Sequence, residues 1–269
     1  MFSPASAHST KHIPLLLYPF AASTFHLAQL TDGVSNGTAL WLGAQCLSVF
    51  LASINPRLVA QSGKPPRLVE LGSGIGLTAL AMSSLGWDVL ATDIPHVISS
   101  VLAKNIQDNL NKLPPASGTI DVRELDWTIP PDHWTWNDTT VVASASSSSL
   151  PSSDVNTPLL NPPFDLICSA DTVYTAALVE PLLRTFHALC TLSLAASASA
   201  RAPPIYLCIE RRDPALVDRV LADARDTWGF TVERVPHRKL VKAMDKGGIK
   251  WPKAEWEGVE IWKFTLPRG

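Results

Sequence analysis

Ten residues, Leu68-Val69-Glu70-Leu71-Gly72-Ser73-Gly74-Ile75-Gly76-Leu77, constrain the fold of this chain more than any other stretch. An apolar run ends in glycines at alternate positions, and apolar residues at helical spacing follow over 77–85. That order reads as a buried strand, a tight turn and the start of a helix. Glycines at the turn let a ligand lie against bare backbone, where a Cβ would block it. A helix N-terminus suits a phosphate, but Glu70, two residues before the first glycine, does not. Glu70 suits a cation. Leu77 also stands where the dinucleotide fingerprint G-x-G-x-x-G requires glycine.

The next segment supports a nucleoside ligand. Trp87 to Asp93 reads as a second strand ending in an acid, about 20 residues past the first glycine. Asp93 is placed to accept hydrogen bonds from ribose hydroxyls, or is a surface turn residue of an ordinary βαβ unit. A nucleoside that carries positive charge and no phosphate is S-adenosylmethionine, with its sulfonium and amino group, and this is the cofactor expected.

The chain has 269 residues, 46% of them apolar, enough for a full core. A net charge of −2 argues against a general nucleic-acid or membrane-surface role. Cys46, Cys168, Cys190 and Cys208 show no C-x-x-C pair and no metal spacing. They read as reduced core cysteines of a cytoplasmic or nuclear protein, and no metal is expected. No stretch reaches the about 18 clean apolar residues of a spanning helix; residues 39–54 come nearest and read as a buried helix. No heptad or long apolar stripe suggests an oligomer, so a monomer is expected.

Residues 1–37 read as an irregular or short-stranded lead-in, and 38–269 as one domain. Helices are expected at Thr38 to Ile54, 77–85, 96–112, about 176–195 and 214–228, with a linker from Asn55 to Pro66. Strands are expected at 68–71, 87–93, 120–125, 164–170, 205–210, 230–235 and 259–264. The alternation gives an α/β fold with a mostly parallel sheet covered on both faces. Residues 139–163, rich in serine and then proline, read as a disordered insertion. The segment 234–253, with Arg234, His237, Arg238, Lys239, Lys242, Lys246, Lys250 and Lys253, reads as a solvated loop face, with Gly247-Gly248 suggesting a hairpin or lid. It offers only weak support for contact with an acidic partner or nucleic acid.

Open α/β sheets bind ligands outside the carboxyl ends of their strands, so the strand ends supply the candidates. The third strand ends in Asp126-Trp127. Trp127 either stacks on a base or caps the core, and Asp126 beside it can accept from an exocyclic amine. The fourth strand ends in Asp171-x-x-Tyr174, the candidate for the reacting side: Asp171 binds and orients an acceptor, or caps the helix that follows, while Tyr174 supplies a wall and an oxygen. The fifth ends in Glu210-Arg211. Asn161-Pro162-Pro163-Phe164 imitates a nitrogen-methylation signature but precedes its strand, and reads as loop punctuation.

G-T-A-L-W at 37–41, E-L-G-S-G-I-G-L-T at 70–78, T-D-I-P at 92–95, E-L-D-W at 124–127 and A-D-T-V-Y at 170–174 together resemble the seven-β-strand methyltransferases of the small protein-lysine type. That resemblance implies a Rossmann-like, seven-stranded, mostly parallel sheet with an antiparallel last strand. It implies that Trp41, Glu70, Gly72, Gly74, Gly76, Asp93, Asp126, Trp127 and Ala170 hold S-adenosylmethionine, and that Asp171 and Tyr174 face a substrate lysine. The expected activity is methyl transfer to a lysine of another protein. The alternatives are a small-molecule N-methyltransferase and a non-catalytic cofactor-binding module.

Overall fold

A computed structural model describes residues 3–30, 36–58, 64–145, 159–197 and 201–267. The chain opens with helix α1 (Ala7–Thr10) and the hairpin β1 (Leu15–Phe20) and β2 (Ser23–Ala28), then enters helix α2 (Leu42–Leu58). Strand β3 (Arg67–Leu71), helix α3 (Leu77–Ser83) and strand β4 (Asp88–Asp93) form the glycine-turn unit. Helix α4 (Pro95–Val97) runs through a π turn at Ile98–Leu102 into α5 (Ala103–Asn109). Strands β5 (Ile120–Leu125), β6 (Val141–Ala143) and β7 (Leu166–Ala170) follow, then α6 (Val179–Ala196), β8 (Ile205–Glu210) and α7 (Pro214–Asp226). The chain closes with β9 (Thr231–Arg234), α8 (His237–Lys246) and β10 (Val259–Thr265).

Eight strands form the main sheet in the order β6-β5-β4-β3-β7-β8-β10-β9. Among the described strands of this sheet β10 alone runs against the common direction, antiparallel to both β8 and β9. The seven strands read from the sequence are present, and β6 is an added edge strand. Val141–Ala143 therefore corrects the boundary of the expected insertion at 139–163: two of these three residues are buried, and the strand pairs with β5. Buried Arg123 fastens the far end, donating to the Leu160 carbonyl and to Asn161 Oδ1 at 3.2 Å. Asn161 is thereby engaged at the amino ends of the strands, where its carbonyl also meets Arg67, the first residue of β3. Residues 146–158, the middle of the insertion, lie outside the described residues.

Pleat alternation divides the core in two. Leu68, Cys168, Tyr206 and Cys208 face a layer built from α2, α3, α5, α8 and the hairpin. Val69, Leu71, Ile167, Ile205 and Leu207 face α6 and α7. Two asparagines a helical turn apart tie the hairpin to this body. Asn109 accepts from His26 N and donates to His26 O, both at 2.8 Å; Asn105 does the same to Ala28, also at 2.8 Å. Their amides copy the pairing of a neighbouring strand and so satisfy the open edge of β2. Asn105 also donates to the Ile75 carbonyl at 2.9 Å, which anchors the glycine turn.

The basic segment departs from expectation. Over His237–Lys246 it is a helix rather than a loop, because Leu240, Ala243 and Met244 are spaced to bury one face against the body. Fully burying a Leu or Met stabilises by about 1.5–3 kcal/mol, enough to favour a short helix. The helix ends at Gly247, and the basic side chains of Arg238, Lys239, Lys242 and Lys246 stay exposed. Helix α2 likewise runs four residues beyond Ile54, into the stretch expected as a linker.

Candidate active site

At the carboxyl ends of the strands lies a cavity of about 250 Å³. It is lined by Trp41, Gly72, Gly74, Asp93, Trp127, Ala170, Asp171 and Tyr174, and additionally by Asn36, Gly37, Ile94, Val97 and Thr172. Residues from positions 41 to 174 thus converge because parallel strands present their ends on one rim. A second cavity of about 260 Å³, between the hairpin, α2 and α8, is walled mainly by apolar residues such as Tyr18, Phe20, Val49 and Ile249, with Lys246 the one charged group among the described residues.

The glycine turn is built for close approach. Gly72, Gly74 and Gly76 have φ of 70°, 54° and 86°, the left-handed region that glycine enters without a Cβ penalty. A Cβ on Gly72 would lie 2.6 Å from Thr172 Cγ2. Gly76 stands just before α3 and packs against Leu102 and Ile106 rather than lining the cavity. Asp93 closes the other side. Its Oδ2 accepts from Gly74 N at 2.8 Å and its Oδ1 from Ile94 N at 2.9 Å, which leaves each oxygen a lone pair for a hydroxyl. Burial raises the Asp93 pKa to about 6 against the pull of those two N–H groups.

Trp127 enters from the end of β5, its backbone carbonyl held by Arg184 at 2.9 Å. Its indole N–H is buried and has no partner among the described residues, so it has a donor to offer a ligand. Asp126 is turned aside, accepting from Thr128 N at 2.9 Å and Thr128 Oγ1 at 2.7 Å, and does not line the cavity. Glu70 also lies outside the lining. It shares the face of Leu68, behind the glycine turn, beside Ser73, Thr78 and the Ala79 N–H, with Oε2 unpartnered. Burial drives its pKa up to about 8.

Asp171 follows β7 with a φ of 54°. It does not cap the helix that follows it. Its Oδ2 accepts from Gly43 N at 2.6 Å, in the first turn of α2, and its Oδ1 accepts from Glu210 N at 3.1 Å. The carboxylate therefore caps α2 and ties it to the end of β8 while lining the cavity. Burial raises its pKa, opposed by the Glu210 and Gly43 N–H groups and then by Arg212. Tyr174 is 55% exposed at the mouth, its pKa raised by burial and then by the charge of Asp93. Arg211 points away, to Glu260 and Asp218.

Sequence reasoning placed Thr172 at the rim without giving it a role, and did not find the surroundings of Trp41. Thr172 Oγ1 lies 2.7 Å from Ser169 Oγ, which donates to the Leu71 carbonyl and so joins the ends of β3 and β7. Trp41 stands just before α2 and carries two cations on its ring, Lys11 at 3.5 Å and Arg212 at 4.6 Å. The order of residues 170–174 put Thr172 at the rim, but its bond to Ser169 and the pairing of Trp41 with Lys11 and Arg212 had no signal in the sequence.

Among the described residues no lysine or arginine lines the cavity, whereas two carboxylates do; Lys11 and Arg212 stand behind Trp41. Beside the glycine turn a phosphate would meet the Asp93 carboxylate; a cationic nucleoside would find a hydroxyl-binding acid, a tryptophan and a backbone stripped of Cβ atoms. Among the described residues no group of three His, Cys, Asp or Glu could hold a metal ion. A mostly parallel sheet closed by an antiparallel strand, with the glycine turn after its first parallel strand, is the Rossmann-like α/β architecture expected from the sequence. Residues 21–146 match the model of the family described as lysine methyltransferase. The protein-lysine methyltransferase METTL21E of Mus musculus is 28% identical over 186 residues, which cover 66% of this chain and 64% of that protein. The protein N-lysine methyltransferase METTL21A of Mus musculus is 28% identical over 181 residues, 67% of each chain. The protein-lysine N-methyltransferase rrg1 of Schizosaccharomyces pombe is 34% identical over 65 residues, 24% of this chain and 21% of that one. The chain spans 64% and 51% of the lengths of the mouse and Bos taurus METTL21E proteins it matches.

Proposed function

We propose that this chain is an S-adenosylmethionine-dependent methyltransferase that acts on a lysine side chain of another protein. The observation that carries the reading is the cavity lining, which combines the glycine turn, Trp127 and the carboxylates of Asp93 and Asp171, with no lysine or arginine among the described lining residues. The family match and the protein-lysine methyltransferases among the relatives support the acceptor class.

When bound, the cofactor supplies an electrophilic methyl group on a positively charged sulfur. Gly72 and Gly74 admit it against the backbone, Asp93 accepts from its ribose hydroxyls, and Trp127 offers its ring and indole N–H. Trp41, Asp171 and Tyr174 are left to receive the acceptor. The lone pairs of Asp171 not used by Gly43 and Glu210 accept from an incoming ammonium and orient it. Arg212 nearby opposes the rise in amine pKa that a carboxylate alone would cause. Rate then comes from in-line positioning in a partly dry site rather than from a covalent intermediate.

On the same reading the enzyme acts as a monomer on protein rather than nucleic acid. Four buried free thiols support a reducing compartment, cytoplasmic or nuclear. None of the helices, among the described residues, is long and apolar enough to cross a membrane. The test is incubation of purified chain with methyl-labelled cofactor and either cell lysate or a metabolite pool. Label in a protein band, released as methyl-lysine on hydrolysis, is expected; label confined to small molecules, or no transfer, contradicts the reading.

A further inference from the structure

A lysine of the chain itself is held at the rim of this cavity in surroundings that suit an acceptor amine. Lysine side chains ordinarily carry their amines out to water. Lys11 instead is half-buried, donates to the Leu40 carbonyl, and lies 3.5 Å from the centroid of the Trp41 ring, which itself lines the cavity. The backbone that carries it is pinned on both sides. Ala7 N donates to Gln45 Oε1 at 2.8 Å, and Gln29 Nε2 donates to the Thr10 and Ile13 carbonyls at 2.5 and 2.7 Å. The freedom that remains is in the Lys11 side chain. Asp171 and Glu210 attract its charge, as they would that of any ammonium brought to this rim.

We propose that Lys11 is an internal methyl acceptor, methylated by the chain's own active site after its amine swings from the Leu40 carbonyl past Trp41 into the cavity. This rests on the methyltransferase reading above. An aromatic face, a carbonyl and nearby carboxylates are what a substrate lysine needs in order to be bound, and Lys11 already has all three. Burial and the charge of Arg212 lower its pKa to about 8, so roughly a quarter of the amine is neutral at pH 7.5, against about a tenth of a percent for an ordinary lysine. In the transfer the ammonium first gives a proton to water. The amine lone pair then forms the N–CH3 bond, and the S–CH3 bond breaks with its electrons remaining on sulfur. The product amine stays cationic, so its attraction to the Trp41 ring persists.

The experiment uses full-length chain alone with methyl-labelled cofactor, followed by proteolysis and mass spectrometry of the peptide containing Lys11. Lys11→Arg, which keeps a cation on Trp41, is run beside it, and a parallel wild-type reaction contains lysate. The expected result is label on Lys11 of the wild-type chain and loss of chain labelling to background in Lys11→Arg. Labelled lysate proteins with an unlabelled chain overturn this inference and leave the methyltransferase reading intact, as does chain labelling undiminished in Lys11→Arg. No label on chain or lysate overturns both.

Discussion

Replacing Glu70 with Gln tests the burial of a carboxyl behind the glycine turn. In the folded chain Glu70 titrates at about 8 because it is sealed from water, against 4.5 for an unperturbed glutamate. Below pH 4.5 the folded and unfolded states both hold the proton, and the stability this group contributes is fully present. As the pH rises, the unfolded chain releases the proton first, so stability is lost progressively until the folded carboxyl ionises near pH 8. At 1.36 kcal/mol per decade this amounts to about 3 kcal/mol between pH 4 and pH 7. Gln fills the same volume and does not titrate. The assay is urea unfolding followed by tryptophan fluorescence at pH 5, 6, 7 and 8. Glu70→Gln should become more stable relative to wild type as pH rises, by about 2–3 kcal/mol across pH 5 to 7. Parallel pH curves for the two chains would refute the reasoning, because Glu70 would then titrate alike folded and unfolded.

The remaining predictions concern the rim. Gly72→Ala at φ 70°, with its Cβ directed onto Thr172, should cost at least about 1–2 kcal/mol in unfolding experiments and weaken cofactor binding in calorimetry. Asp171→Asn can accept from only one of Gly43 N and Glu210 N with each side-chain atom in place; leaving the other N–H unpaired should cost about 1–3 kcal/mol of stability as well as slow transfer. Asp171→Ala should therefore be read with a melting curve beside the activity. Tyr174→Phe removes a hydroxyl at an exposed position, so its stability should stay within about 0.5 kcal/mol of wild type while transfer to the protein acceptor slows.

The sheet was legible because its strands are long apolar runs with clear ends, and the glycines and acids that close them keep their chemistry whatever packs around them. Trp41, Gly72, Gly74, Asp93, Trp127, Ala170, Asp171 and Tyr174 do line one cavity. The sequence hid what depends on distant partners. Asp171 caps a helix that begins 129 residues earlier in the chain, with Gly43 as its donor, and nothing local records that contact. Glu70 turns behind the glycines because strand alternation gives it the face of Leu68, beneath α3. Strand β6 has three residues, too few for a period-2 pattern to emerge from the serine-rich stretch around it. In α8 the charges at 238, 239, 242 and 246 masked an apolar face of only Leu240, Ala243 and Met244. Asn105 and Asn109 stand at helical spacing on a polar helix, and their role appears only when β2 lies alongside.

The central claim is that the rim cavity takes a cationic, phosphate-free nucleoside. Isothermal titration of the purified chain with S-adenosylmethionine measures it directly. One-to-one binding is predicted, strongly weakened by Asp93→Ala and not displaced by NAD. Absence of heat with S-adenosylmethionine, or tighter binding of NAD, would contradict it.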